Sequence, residues 1–269
     1  MGAVMRTIIQ FDCEGCVLAA TIDDASDGCT GLLIVSGGNE IRFGAHRGMT
    51  MLARDIAADG HPVFRFDRRG VGDSEGKNGG FHSSAADIDA ALSAFRLACP
   101  HVERIVAFGN CDAATALILH RSAVDAVVLA NPWLIEPIDD LPPAAAIKQR
   151  YVQRLRDPRA WIALLSGKLD FSAAIRGLRR IASPSNSHAS LPAQVAAAIA
   201  TDTRPATILV ATGDNTAIAF LDAWQSDPFG KARSRHDVAI VRLESKSHSF
   251  ADERDYAVLK QTLLDALTS

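Results

Sequence analysis

Short apolar runs rich in β-branched residues recur along the chain and alternate with longer amphipathic stretches. The apolar runs predict strands over residues 32–35, 62–66, 104–108, 126–129, 207–210 and 238–241. The amphipathic stretches predict helices over residues 48–58, 84–98, 114–122, 217–224 and 252–267. Strands separated by helices pair in parallel and are covered on both faces, so the pattern predicts a doubly wound α/β domain.

An antiparallel hairpin is predicted ahead of these strands, because apolar segments 7–9 and 17–19 flank Glu14-Gly15. Cys13 and Cys16 have the spacing of a zinc or redox pair, but the sequence holds no second Cys or His pair of matching spacing. We therefore interpret them as incidental hairpin thiols. Five scattered cysteines are also not typical of a disulfide framework. We predict no metal and no cofactor.

Residues 133–200 interrupt the alternation, because they contain helix-like patterning and no convincing strand. Ligands of open α/β sheets bind beyond the carboxyl ends of the strands, and an insertion here overhangs that edge. We predict a helical lid over 133–200 and a core formed by 1–132 and 201–269. Basic residues in the predicted lid fit either a solvated helix face or attraction of an anionic substrate: Lys148, Arg150, Arg154, Arg156, Arg159, Arg176, Arg179 and Arg180.

Composition narrows the class of partner. The 269 residues are 48% hydrophobic with a net charge of −3, so the chain can bury a large core and lacks the basic stripe of a nucleic-acid-binding protein. No apolar stretch approaches a membrane span, and the first residues lack the pattern of a secretory leader. We expect a cytoplasmic protein with a small-molecule acyl substrate, no nucleic-acid partner, no membrane span, and a homodimer as a candidate assembly.

The segment Gly109-Asn110-Cys111-Asp112-Ala113 carries the candidate chemistry. It joins a predicted strand to a predicted helix, with a small residue two positions before and two positions after Cys111. A strained strand-to-helix turn needs this spacing, because it projects a nucleophile from the end of the sheet towards a helix N-terminus. The alternative is a packing thiol, since free cysteines are often buried.

Two more segments support the interpretation of Cys111 as a nucleophile. Residues 67–76 resemble the Asp-x-x-Gly-x-Gly-x-Ser loop of the α/β-hydrolase superfamily, and Ser36-Gly37-Gly38-Asn39 follows the strand after which that superfamily supplies an oxyanion-hole N–H. The whole chain resembles the bacterial exosortase A system-associated hydrolase 1 family. The residues that carry this resemblance are Gly37-Gly38, Gly44-Ala45-His46-Arg47, 65–76, 109–114, Asn131-Pro132-Trp133 and Leu165-Ser166-Gly167-Lys168. The resemblance implies the α/β-hydrolase fold and a hydrolytic or acyl-transfer role in envelope or exopolysaccharide functions.

In this fold the nucleophile comes first in the chain, the acid second and the histidine last. His248 lies after the last predicted strand and before the last predicted helix, where the histidine of this fold belongs. His120 lies within the helix that follows Cys111, His188 in the predicted lid, and His236 before the last strand. Asp214 follows the strand at 207–210, with Asp222, one helix later, as the alternative acid. Asp214 next to a glycine is also a common surface turn.

These positions assign Cys111 as nucleophile, His248 as base and Asp214 as the partner of the imidazole. Cysteine departs from the usual serine, but cysteine elbows also occur in dienelactone hydrolases and polyhydroxyalkanoate synthases. The oxyanion hole is predicted from the backbone N–H of Asp112 and that of Gly38 or Asn39. The Asp112 carboxylate favours a neutral thiol unless it points away, and it can instead interact with the helix dipole.

The candidate acyl pocket residues are Trp133 and Trp161, for which packing is the alternative. The leading functional hypothesis is an esterase or thioesterase. Acyl transfer to a sugar or lipid acceptor is the second hypothesis, because a thioester intermediate suits transfer when water is excluded. A binding protein that keeps the fold without efficient chemistry is the third.

Overall fold

A computed structural model describes residues 5–25, 28–135 and 190–269. Eight strands form one sheet in the order β1-β2-β4-β3-β5-β6-β7-β8. Their bounds are β1 Met5–Cys13, β2 Cys16–Asp24, β3 Thr30–Val35, β4 Val63–Phe66, β5 Arg104–Asn110, β6 Ala126–Ala130, β7 Ala206–Ala211 and β8 Val238–Leu243. Strands β3 to β8 are parallel, and the β1–β2 hairpin joins them through an antiparallel pairing of β2 with β4. The predicted hairpin and parallel sheet are confirmed.

Helices cover both faces of the sheet. They are α1 Gly48–Ala58, α2 Ala85–Ala98, α3 Asp112–His120, α4 Leu191–Thr201, α5 Asn215–Trp224, the short α6 Gly230–Arg233 and α7 Glu253–Thr268, with 3₁₀ turns at Ala45–Arg47, Phe81–Ser83 and Asp227–Phe229. Helices α1 and α7 share one apolar core with the sheet, and α2 to α6 share the other. Where a helix was predicted within the described ranges, a helix is present, with ends that differ by a few residues.

The continuous apolar runs follow from burial on both faces. Along β3, Leu32 and Ile34 pack with α1 and α7, whereas Leu33 and Val35 pack into the core on the opposite face. Successive side chains of a strand point to opposite faces, so a strand covered on both sides needs an apolar residue at every position.

The hairpin thiols are cross-strand neighbours. Cys13 pairs with Cys16 across a two-residue turn whose residues, Glu14 and Gly15, both have positive φ angles, 51° and 79°. This backbone fits the hairpin turn that follows the right-handed twist of the strands. All five cysteines are free thiols, and burial, together with the nearby Asp87 carboxylate, raises the pKa of Cys13 to about 11.

The glycine-rich loop after β4 is part of the scaffold. The buried Asp67 carboxylate forms an ion pair with the Arg42 guanidinium and accepts hydrogen bonds from the N–H groups of Arg42 at 2.5 Å and Asp73 at 3.1 Å. Ser74 Oγ donates to the Asp67 carbonyl at 2.7 Å and accepts from the Ala19 N–H at 2.9 Å. The loop therefore ties β2 to the segment that follows β3.

The predicted lid lies mostly in residues 136–189, outside the described residues, as does Trp161. Its last predicted helix is α4, which buries Leu191, Val195 and Ile199 in the core shared with α3. This helix thus belongs to the layer that covers the sheet, and the lid itself stays a prediction. In the described part of the chain, no helix has both the length and the apolar character needed to cross a bilayer.

Candidate active site

Cys111 lies at a strained turn between β5 and α3. Its φ and ψ angles are 62° and −125°, a conformation that non-glycine residues rarely adopt. Its N–H donates to the Ala130 carbonyl at 2.9 Å, and its carbonyl accepts from the Trp133 N–H at 3.2 Å, which hold the turn from β6. A Cβ on Gly109 would lie 2.7 Å from the backbone carbon of Ala113, so glycine is needed where the helix crosses the strand. This strained strand-to-helix turn, here called the elbow, lies where the sequence predicts it, around Cys111.

His248 lies beyond the end of β8, and its ring faces both other triad candidates. Its Nδ1 lies 3.2 Å from Oδ1 of Asp214, and its ring also interacts with the Cys111 side chain. The interaction with Asp214 is the larger cause, and together the two raise the pKa of His248 to about 10, although partial burial opposes the charge. The imidazole is therefore protonated at neutral pH.

Asp214 is both the partner of His248 and the N-cap of α5. Its Oδ2 accepts from the N–H groups of Thr216 at 2.9 Å and Ala217 at 3.2 Å, which leaves Oδ1 for His248. Burial alone would raise the pKa of the Asp214 carboxyl, but the hydrogen bonds from His248 and these N–H groups outweigh it and lower that pKa. Asp222, the alternative acid, is exposed on α5.

Two asparagines that the sequence analysis did not assign hold the His248 loop. Asn110 Nδ2 donates to the His248 carbonyl at 3.0 Å, and Asn131 Nδ2 approaches the same carbonyl at 3.5 Å. Asn131 Oδ1 accepts from the Ala211 N–H at 2.9 Å, just before the turn that carries Asp214. Asn131 is fully buried, with a φ of 41°. The signal available in the sequence was an asparagine at the end of a buried strand, Asn110, or directly after one, Asn131.

Of the predicted oxyanion donors, Gly38 contacts the side chain of Asp112. Asp112 begins α3, so its N–H belongs to the first turn, whose donors have no acceptor within the helix. The Gly38 N–H donates to Oδ1 of the Asp112 side chain at 2.5 Å. Asn39 is exposed, and its side chain accepts a hydrogen bond from Asn78 at 2.7 Å. The carboxylate of Asp112 thus lies against the loop after β3.

Trp133 is half-buried near the elbow, and its carbonyl accepts a hydrogen bond from Thr115 Oγ1 at 2.7 Å. An apolar cavity of about 270 Å³ lies behind the His248 loop, between α1 and α7. Its walls include Met49, Phe250 and Tyr256, but none of the three triad side chains. The acyl pocket itself is therefore not assigned to this cavity.

Within the described ranges 5–25, 28–135 and 190–269, no group of three or more His, Cys, Asp or Glu side chains is arranged to hold a metal ion. The polar groups next to Cys111 include the His248 imidazole, which Asp214 contacts, and the first-turn N–H groups of α3. Such a set can accept and return a proton and can stabilise a developing oxyanion.

Sequence comparison identifies the family. The model of the alpha/beta hydrolase family matches residues 32–261, most of the chain. The chain belongs to the alpha/beta hydrolase family. The predicted fold is therefore confirmed by the family match as well as by the sheet topology. Among proteins of curated function, none matches the sequence significantly.

Solved structures of this fold superpose over almost the entire alpha/beta hydrolase chain. The esterase Pf2001 of Pyrococcus furiosus superposes with a TM-score of 0.65 at 15% identity, covering 97% of this chain and 91% of that chain. A putative hydrolase from Agrobacterium vitis S4 gives 0.58 at 16% identity, covering 99% and 100%. The thioesterase domain from the curacin biosynthetic pathway gives 0.56 at 13% identity, covering 98% and 100%. At these identities the likeness establishes the shared fold.

Proposed function

We propose that the chain hydrolyses ester or thioester acyl groups through a covalent intermediate on Cys111, with His248 and Asp214 completing the triad. The observation that carries the proposal is the position of the His248 ring, which contacts Asp214 on one side and the strained Cys111 on the other. Membership of the alpha/beta hydrolase family and the likeness to an esterase and a thioesterase support the same reaction class.

The proposed reaction begins with attack of the Cys111 thiolate on the acyl carbon. A carbon–sulfur bond forms, and the carbonyl electron pair moves to the oxygen, which becomes an oxyanion. When the carbonyl re-forms, the alcohol or thiol leaves with the proton of the His248 imidazolium. A water molecule then gives a proton to the neutral imidazole and attacks the thioester, which releases the acid and regenerates the thiolate.

The raised pKa of His248 fits this sequence of proton transfers. With a pKa of about 10, the ring is charged at neutral pH and stabilises a thiolate beside it. Asp214, whose carboxyl pKa is lowered, stays ionised and orients the ring through Nδ1. The protonated ring is then ready to act as the acid in the first step.

A substrate screen with matched variants tests the proposal. Purified protein is assayed with p-nitrophenyl acyl esters and acyl-CoAs of increasing chain length, alongside Cys111→Ala and Cys29→Ser. Cys29 is an exposed free thiol outside the site, so its variant controls for general loss of a cysteine. We expect Cys111→Ala to lose at least about 1000-fold in kcat/KM and Cys29→Ser to match the original protein. Full activity in Cys111→Ala would refute the mechanism.

Product analysis separates the two other functions suggested by the sequence. Acyl transfer is the outcome if added sugar or lipid alcohols divert the acyl group from water. A binding role is the outcome if Cys111 is alkylated without assistance from His248 and no acyl substrate turns over.

The motif resemblance to exosortase A-associated hydrolases favours acyl groups of envelope or exopolysaccharide precursors as the first substrates to test. A cytoplasmic location and a homodimer stay predictions, testable by cell fractionation and light scattering.

A further inference from the structure

The oxyanion side of the site contains a carboxylate where a substrate oxygen is expected. Oδ1 of Asp112 accepts the Gly38 N–H at 2.5 Å, and Gly38 follows β3 at the place from which this donor is expected. A Cβ on the preceding residue, Gly37, would lie 2.7 Å from the same oxygen. The Asp112 carboxylate is thus packed directly against the backbone of the loop.

A buried arginine holds this arrangement together. The Arg68 side chain is 3% exposed, and its Nη2 donates to the Gly38 carbonyl at 2.6 Å and lies 3.4 Å from Oδ2 of Asp112. Its Nη1 donates to Ser84 Oγ at 2.9 Å. A buried guanidinium needs a nearby negative charge, and Asp112, itself 14% exposed, supplies it. The carboxylate is therefore held from one side by a cation and from the other by an N–H group.

We infer that Asp112 is a competing ligand of the oxyanion site, whose carboxylate must leave the Gly38 N–H before an acyl oxygen can use that donor. This inference rests on the proposed function of Cys111. When the thiolate attacks, the acyl oxygen takes up the carbonyl electron pair, and an oxyanion and a carboxylate repel each other at one N–H. Asp112 thereby sets how readily an acyl group reacts, and Arg68 is the positioning residue that keeps the carboxylate in place.

A single oxyanion-hole donor contributes enough to the rate that its occupation by Asp112 should be measurable. Loss of a single oxyanion-hole donor commonly lowers the rate by about 100- to 1000-fold. If the Asp112 carboxylate occupies the Gly38 N–H, a variant without that carboxylate should bind any ligand that forms an oxyanion on Cys111 more tightly, by part of this effect of about 100- to 1000-fold. A ligand that reacts with the thiolate without forming an oxyanion should gain much less.

Two cysteine reagents separate these effects. An alkyl trifluoromethyl ketone adds to the thiolate, with formation of a carbon–sulfur bond and an alkoxide and without a leaving group. Iodoacetamide alkylates the same sulfur and expels iodide, so it needs no oxyanion hole. Both are measured on Asp112→Ala and Asp112→Asn in a Cys29→Ser background, with alkylation followed at the high-pH plateau of its rate. Asp222→Ala, which removes an exposed carboxylate from α5, is the matched control.

We expect the inhibition constant of the ketone to fall by about tenfold or more in Asp112→Ala, by less in Asp112→Asn and not at all in Asp222→Ala. The plateau alkylation rate should change by less than about threefold. An unchanged or weaker ketone affinity in Asp112→Ala, with normal alkylation, would overturn the inference and leave the triad intact. If the alanine variant does not fold, the nearly isosteric Asp112→Asn decides by the smaller fall expected of it, because its uncharged amide oxygen holds the Gly38 N–H less strongly than the carboxylate does. Esterase activity that survives in Cys111→Ala would instead contradict the proposed function.

Discussion

Gly109→Ala tests whether the elbow around Cys111 depends on close contact between β5 and α3. A Cβ at this position would lie 2.7 Å from the Ala113 carbon, 2.8 Å from the Ala114 nitrogen and 2.9 Å from the Ala113 oxygen. All three atoms belong to the backbone of the first helical turn. Gly109 is not among the residues with positive φ, so alanine can adopt its conformation and the substitution isolates the steric term.

The expected cost follows from these contacts. Backbone atoms cannot rotate away as a flexible side chain can, so the strand and the helix must separate by several tenths of an ångström. Overpacking of this kind costs about 1–3 kcal/mol. For a chain of this size, the melting temperature should fall by about 2–10 °C. Because Cys111 lies between the two elements, kcat should fall together with stability.

The assay is urea unfolding followed by circular dichroism, with Gly230→Ala as the control. Gly230 has helical φ and ψ angles of −53° and −47°, and a Cβ there would approach only Arg233 Nη2, at 3.9 Å. Alanine at such a site commonly stabilises by about 0.4–1 kcal/mol. If Gly109→Ala is as stable as Gly230→Ala and keeps full activity, the reasoning about helix–strand contact at the elbow is wrong.

Four further predictions concern other side chains, three of them in the candidate site and one in the hairpin. Asp214→Asn should lower the pKa of His248 from about 10 towards its ordinary value, measurable from the ring proton resonances by NMR. Because the pKa of His248 is raised on folding, its contribution to the free energy of unfolding is complete below about pH 6.5 and is lost as the pH rises to about 10; urea unfolding at both pH values should show the original protein losing more stability than Asp214→Asn. Asn110→Ala removes the 3.0 Å hydrogen bond to the His248 carbonyl and should lower kcat by about tenfold with little change in KM. An unchanged kcat, or a rise in KM as large as the fall in kcat, would contradict a positioning role. Iodoacetamide at pH 8 should label exposed Cys29 much faster than buried Cys13, whose pKa is about 11; equal labelling by mass spectrometry would refute this order.

Much of the architecture was predictable because the signals are local. Strands covered on both faces must be apolar at nearly every position, and this makes β3 and β5 recognisable without neighbours. The position of the elbow was also predictable, since strand and helix cross so closely at Gly109 that a glycine is required there. The order nucleophile, acid and histidine along the chain then narrowed the choice to Asp214 and His248.

Side-chain direction at the site was not predictable from the sequence. From the sequence, the Asp112 carboxylate either favours a neutral Cys111 thiol or points away, with the helix dipole as its alternative partner. In the structure it contacts the Gly38 N–H, 74 residues earlier in the chain, next to buried Arg68. The contact between Asn110 and the His248 carbonyl spans 138 residues. No local pattern encodes such pairs, because each depends on how separate strand ends meet at one edge of the sheet.

The sequence by itself determined the fold class, the hairpin and the elbow position, since hydrophobic periodicity and glycine spacing act over a few residues. Only the tertiary structure decided that the His248 ring meets both Asp214 and Cys111, and that the Asp112 carboxylate occupies a backbone donor beside them. The physical reason is that burial patterns depend on averages over many side chains. A site depends instead on distances of about 3 Å between groups that the folded chain brings together.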